Sequence, residues 1–162
     1  MRYERAAPRG AAFLIFSIAA QADPTCAPCH RALYDAYQRS AMARTSGIVS
    51  TGILTHARVD QASIGAVFHV DGAARTFSFQ RKTKGTRALH WFIGSGKVGR
   101  SFAFADDGFL FQAPVSYFAR DNRWGVSPGF EERKHVDIAR PIEETCLQCH
   151  ATRPRLIKGT AN

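Results

Sequence analysis

Long apolar runs are missing from this 162-residue chain. Its most apolar stretch, Ala11 to Ala20 (AAFLIFSIAA), is too short to cross a bilayer comfortably. No later segment reads as a transmembrane helix, so a soluble mature form is expected. Low-complexity segments are also missing. Basic residues are plentiful, at 22 Lys and Arg against 13 Asp and Glu, but they are scattered rather than massed in one run. With no recognised nucleic-acid motif beside it, that excess is poor support for nucleic acid binding. It suits docking to an acidic partner or an anionic membrane surface. Methionine is nearly absent, with Met42 the only one besides Met1, and cysteine is limited to four. A hydrophobic content of 45% is enough for a sizeable core and argues against disorder.

The first residues read as an export signal. Arg2, Arg5 and Arg9 precede the apolar stretch, and Ala20-Gln21-Ala22 offers small residues where a signal peptidase reads. There is no twin-arginine pair, so the general secretion route is expected. Residues 1–22 are therefore assigned as a secretory signal peptide, and residues 23–162 as one domain. Cleavage after Ala22 removes three Arg and one Glu, lowering the formal charge from +9 to +7.

All four cysteines lie in two Cys-x-x-Cys-His units, Cys26-Ala27-Pro28-Cys29-His30 and Cys146-Leu147-Gln148-Cys149-His150. Such a unit reads as a c-type haem attachment site. Two thiols one turn apart reach opposite edges of one ring, and the next residue brings an imidazole to the iron. Three other chemistries compete. Zinc can use two Cys-x-x-Cys pairs, but here they stand 120 residues apart. A thioredoxin-like motif explains one pair, not two. Two structural disulfides suit an exported protein. None of the three gives a reason for His after both pairs. Two covalently attached haem c groups are expected, held by Cys26, Cys29, Cys146 and Cys149, with His30 and His150 as proximal iron ligands. Export agrees, because such haem is attached outside the cytoplasm; a periplasmic or otherwise exported location follows.

The sixth ligands are less determined. His56, His69, His90, His135 and Met42 remain. His56, His69 and His90 lie in or beside predicted strands. His135, eleven residues before Cys146, is a distal candidate that would fold back over the second haem. Met42 is the other distal candidate, since a thioether can ligate haem iron and raises its potential. A straight helix over residues 30–42 would separate Met42 from His30 by about 18 Å and keep it off that haem.

The rest of the chain predicts an α+β fold: an antiparallel sheet of about five or six strands flanked by short haem-binding helices at both ends of the mature chain. Asp23 to Thr45 reads as a loop and then a helix with His30, Leu33, Tyr37 and Ala41 on one face. Ser63 to Val70 and Arg75 to Gln80, joined by Asp71-Gly72, read as a hairpin. Ser101 to Ala105 and Phe109 to Ala113, joined by Asp106-Asp107-Gly108, read as a second. Phe77/Phe79, Phe102/Phe104 and Phe109/Phe111 alternate with other residues, so each pair is expected on the core face. Leu89 to Ile93 is a further strand candidate. Arg120 to Glu132 reads as loop, and Arg140-Pro141 as the lead into a helix with Glu143 and Glu144 at its start. Gly94-Ser95-Gly96-Lys97-Val98-Gly99 fits a dinucleotide fingerprint, but that needs a following helix. Arg100 to Ala105 alternates like a strand, so a glycine turn is expected, with Lys97 or Arg100 as a charge partner for haem propionates.

Residues Cys26 to Ala43 resemble the pattern C-x-x-C-H-x-x-x-Y-x-x-W-x-x-S-x-H-A of multihaem cytochromes, with Tyr34, Ser40 and Ala43 matching, Tyr37 replacing Trp and Met42 replacing His. More widely the chain resembles the N-terminal haem region of bacterial multihaem cytochromes that continue into tetratricopeptide repeats. The resemblance rests on Cys26 to Arg44, Phe92 to Gly96 with Gly99 to Phe102, Trp124 with Ser127-Pro128-Gly129-Phe130, and Arg140-Pro141-Ile142 leading to His150. It implies multihaem electron transfer. The chain ends soon after His150, so a minimal or truncated version is expected and repeat-mediated binding is not. Three functions are expected in order: electron transfer between redox partners, acidic or themselves haem-containing; a haem enzyme or gas-binding protein with an open iron, using His90, His135 or Arg100; and a haem-stabilised binding or sensor module.

Overall fold

The computed structural model describes residues 23–81, 83–132, 138, 140–151 and 158–159. The expected signal peptide and the distal candidate His135 lie outside these. Helix α1 spans Arg31–Arg39. Nine strands follow among the described residues: β1 (Ser46–Ile48), β2 (Ala57–Gln61), β3 (Ala66–Asp71), β4 (Thr76–Gln80), β5 (Lys84–Ala88), β6 (Trp91–Ile93), β7 (Gly99–Asp106), β8 (Phe109–Phe118) and β9 (Arg123–Val126). Helix α2, Glu144–His150, closes the series.

Both expected hairpins are present. Between β7 and β8 the chain reverses through Asp107 and Gly108, both left-handed at φ 49° and 84°. Two such residues match the right-handed twist of the strands they join, and Gly takes that conformation at no steric cost. Between β3 and β4 the Asp71 carboxylate accepts from the Ala73 and Ala74 amides, each at 2.9 Å, and so shapes the turn locally.

The single sheet of five or six strands expected from the sequence is corrected to two antiparallel sheets. One runs β1-β6-β7-β8-β9 and the other β2-β3-β4-β5. They pack through Phe68 and Phe77 on one side and Phe102, Phe104 and Val115 on the other, none more than 1% exposed. The Phe77 and Phe104 rings meet across the interface with centroids 5.5 Å apart. Burying a side chain of this kind contributes roughly 1.5–3 kcal/mol. Phe77/Phe79 and Phe102/Phe104 thus lie on the core face as expected. Phe109 and Phe111 are only half-buried.

Residues read as loop supply one of the extra strands. In β9, Trp124 stacks on Phe102 at 5.3 Å and donates from Nε1 to Thr55 Oγ1 at 2.8 Å. The expected helix face is also corrected. Helix α1 ends at Arg39, because Ser40 turns extended at ψ 159°, and Ala41 falls outside it. Met42–Arg44 then forms a separate 3-10 turn. Helix α1 buries none of its residues.

The outer face of the five-stranded sheet carries α2. Leu147, Ile142 and Ala103 are buried together there, with Trp91, Ile93, Leu110 and Ala151 packed around them. Buried serine hydroxyls on the sheet are satisfied by one another: Ser101 pairs with Ser116 at 2.9 Å, Ser116 with Ser127 at 2.7 Å, and Ser127 donates to the Ala113 carbonyl. Such linkage avoids the cost of an unpaired polar group inside.

Candidate functional site

The first Cys-x-x-Cys-His unit is a turn that runs directly into α1. Asp23 accepts from the Thr25 amide and hydroxyl, anchoring the 3-10 turn Pro24–Cys26. The His30 amide then donates to the Cys26 carbonyl at 2.9 Å, and the Tyr34 amide to the His30 carbonyl at 2.9 Å. The unit is therefore one helical turn ahead of the helix proper. Cys26 and Cys29 are free and exposed, as is His30.

The second unit lies within α2. Its first turn is set by bonds from the Cys146 and Leu147 amides to the Glu143 carbonyl, at 3.0 and 3.3 Å. Leu147 points into the sheet and is 6% exposed, whereas Cys146 and Cys149, three residues apart, are free and exposed. Residues at that spacing lie side by side on a helix. His150 is half-buried. Its Nδ1 is buried and meets no acceptor. Its carbonyl accepts from the Ser46 hydroxyl, the first residue of β1.

That contact ties the end of the second unit to the strand that the first unit leads into. The first leads through α1 and the Met42–Arg44 turn into β1, and the second ends on β1. Each stands by itself chemically: among the described residues no three His, Cys, Asp or Glu side chains converge as a metal-binding group.

A flat, largely apolar cofactor fits what surrounds both units. Near the first, Leu33 is 71% exposed and Tyr37 and Met42 are exposed too. Near the second, Trp91 and Ile93 are only partly covered, and Ile48 on the adjoining strand is exposed. Free thiol pairs followed by an imidazole supply the donor set that covalent haem requires.

The remaining candidates are dispersed. Met42 sits in the turn after α1, and the break at Ser40 removes the straight-helix geometry that would hold it about 18 Å from His30. His56 is 3.7 Å from Asp71 at the β3–β4 turn. His69 lies on the outer face of the four-stranded sheet, between two shallow recesses of about 590 and 580 Å³ that contain no cysteine. His90 lies against Trp91, with ring centroids 5.1 Å apart and the planes tilted by 48°. The dinucleotide reading is excluded, because β7 rather than a helix follows the glycine loop.

Other residues carrying the family resemblance hold the fold together. Gly129, at φ 84°, packs against Arg140, which donates from Nη1 to Gln112 at 2.8 Å and to the Pro128 carbonyl at 2.7 Å. The Phe130 carbonyl accepts from the buried Gln61 side chain at 2.7 Å. Sequence reasoning missed Ser46, whose partner lies 104 residues away and offers only a backbone carbonyl. The chain matches no protein-family model, no curated protein sequence and no solved structure.

Proposed function

We propose that the chain is an exported dihaem c-type cytochrome that carries electrons between redox partners. One observation carries the reading: all four cysteines are used in two Cys-x-x-Cys-His units, and both pairs are free thiols at the surface. Cys26 and Cys29 would tether one haem and Cys146 and Cys149 the other, while the His30 and His150 imidazoles would hold the irons. Bound there, haem supplies one-electron chemistry, with its potential set by ligands, burial and hydrogen bonds. The chain's own part is to fix and orient each imidazole. Leu147 pins α2 to the sheet, and Ser46 holds the His150 carbonyl. Leu33, Tyr37 and Ile48 offer apolar surface against the rings, and the excess of basic residues favours docking to an acidic redox protein.

The test is intact mass with reduced-minus-oxidised absorption, on protein exported in a host with c-type maturation machinery. Two covalent haems and sharp reduced bands support the proposal. One haem would limit it to one unit. No haem, where a control cytochrome matures, would overturn it and return the thiols to metal or disulfide chemistry. Rapid carbon monoxide binding by the reduced protein would instead favour an open iron and the enzyme or gas-binding reading.

A further inference from the structure

Arg100 is the second residue of β7, just after the glycine loop, and its guanidinium is packed against neighbouring groups. Cζ lies 5.1 Å from the centroid of the Phe92 ring. Gly96 approaches so closely that a methyl group on it would come within 2.8 Å of Cζ and Nη2. The left-handed φ of 83° at Gly96 keeps that approach open to glycine. Among the described residues Nε is buried and meets no acceptor. Buried donors without an acceptor are rare in folded proteins, so an orphan of this kind calls for an explanation.

The segments that meet at this turn carry no acid to satisfy it. The Gly94 amide donates to the Thr45 carbonyl at 2.6 Å, and the Ala119 amide to the Val98 carbonyl at 2.8 Å, so three segments meet at this turn. Residues 42–46, 93–100 and 117–120 contain Arg44, Lys97, Arg100 and Arg120 and no Asp or Glu. Asp121 follows directly, but it is engaged by Arg123 at 3.3 Å. The turn is therefore cationic and holds one rigid, planar donor in place by packing.

We infer that Arg100 anchors a carboxylate-binding clamp at the β6–β7 turn, with Lys97 adding charge beside it. The edge of a guanidinium matches the two oxygens of a carboxylate, and a group already held by packing loses little freedom on binding. The carboxylate has two sources: a propionate of a haem held on this chain, or a separate carboxylate anion. The first source rests on the proposed function; the clamp does not.

The test follows the Arg100 Nε–H and Gly96 amide resonances during titration with sodium acetate. Two preparations are compared: the exported protein in its ferrous haem-loaded form, and the full chain carrying Cys26→Ala, Cys29→Ala, Cys146→Ala and Cys149→Ala. In the cysteine-free chain acetate is expected to shift both resonances to saturation, and Arg100→Lys to abolish the Gly96 response. Acetate that no longer acts on the haem-loaded protein, with an Arg100→Lys change in the pH dependence of the midpoint potential, assigns the clamp to a propionate. An equal acetate response in both preparations assigns it to a separate carboxylate. Should the cysteine-free chain not fold, the haem-loaded comparison of wild type and Arg100→Lys decides alone. Should no haem attach, acetate titration of the chain as expressed tests the clamp without it. The proposal is overturned where acetate moves neither resonance and, in any haem-loaded protein, Arg100→Lys leaves the potential and its pH dependence unchanged.

Discussion

The hydroxyl of Ser46 donates to the backbone carbonyl of His150, joining the start of β1 to the last residue of the second Cys-x-x-Cys-His unit. Ser46 is 4% exposed, so the bond is shielded from water. Its effect is topological. Edge strand β1 follows the first unit through α1 and one turn, and the same strand receives the end of α2. The second motif is thereby held to the strand that the chain reaches from the first.

Ser46→Ala leaves the His150 carbonyl short of this donor in a largely dry place. A destabilisation of about 1–2 kcal/mol is expected, the range for a buried bond lost with its acceptor left behind. Urea unfolding should show a lower midpoint with an unchanged slope. In haem-loaded protein the spectrum of the second haem should shift while that of the first stays. An unaltered midpoint would remove the bond from the forces that hold α2.

Leu147→Ala tests the apolar half of the same attachment. Leu147 is 6% exposed and packs against Ala103 and Ile142. Truncating a buried Leu costs about 2–5 kcal/mol. Because α2 has seven residues and is too short to persist alone, it should detach before the sheets unfold. Hydrogen exchange would then accelerate in α2 while β7 and β8 stay protected. Uniform acceleration across the chain would mean that α2 is not an independent unit.

What the sequence made legible was local. Asp107-Gly108 carries its turn geometry in its own backbone preferences, whereas the β3–β4 turn rests on the Asp71 carboxylate and on Arg75 at φ 56°. The two Cys-x-x-Cys-His units are visible by spacing alone. What stayed hidden depends on distant partners. Strand β9 reads as loop because Gly125 and Pro128 signal a turn, yet Trp124 finds Phe102 and Thr55 far along the chain. The edge strand β5 contains Gly85, whose missing side chain makes room for the Phe79 ring, so the residue that weakens the strand pattern is the one the packing needs. Helix α1 misleads in the opposite sense. Its apolar spacing suggests a buried face, but no other part of the described chain buries it.

The Asp71 turn gives a pH dependence of known sign. The Ala74 amide holds its carboxyl below the ordinary aspartate value of 3.8; desolvation opposes this, and the Ala73 amide and His56 add to the lowering. A carboxyl whose value is depressed on folding adds stability that is present above 3.8 and lost as pH falls through the folded value. Carbon-detected NMR titration should find Asp71 titrating below 3.8. In Asp71→Ala the β3–β4 turn should loosen at neutral pH, and the acid limb of the stability profile should flatten. An Asp71 that titrates at or above 3.8 would contradict the turn geometry.

Met42 offers the sharpest separation of structure from function. Its side chain is 54% exposed, and the contacts of the turn come from its backbone carbonyl, which accepts from the Thr45 amide and hydroxyl at 3.1 and 2.8 Å. Met42→Ala keeps that carbonyl. Stability should change by no more than about 0.5 kcal/mol, as for surface substitutions generally. A thioether on haem iron raises the potential, so a ligand role predicts a clear fall in one midpoint at unchanged stability. Voltammetry of haem-loaded wild type and Met42→Ala reads this directly. A fall in one midpoint assigns Met42 to that iron, which the break in the chain at Ser40 permits. Identical potentials would leave Met42 as apolar surface beside the first unit and move the search for the sixth ligand to the histidines.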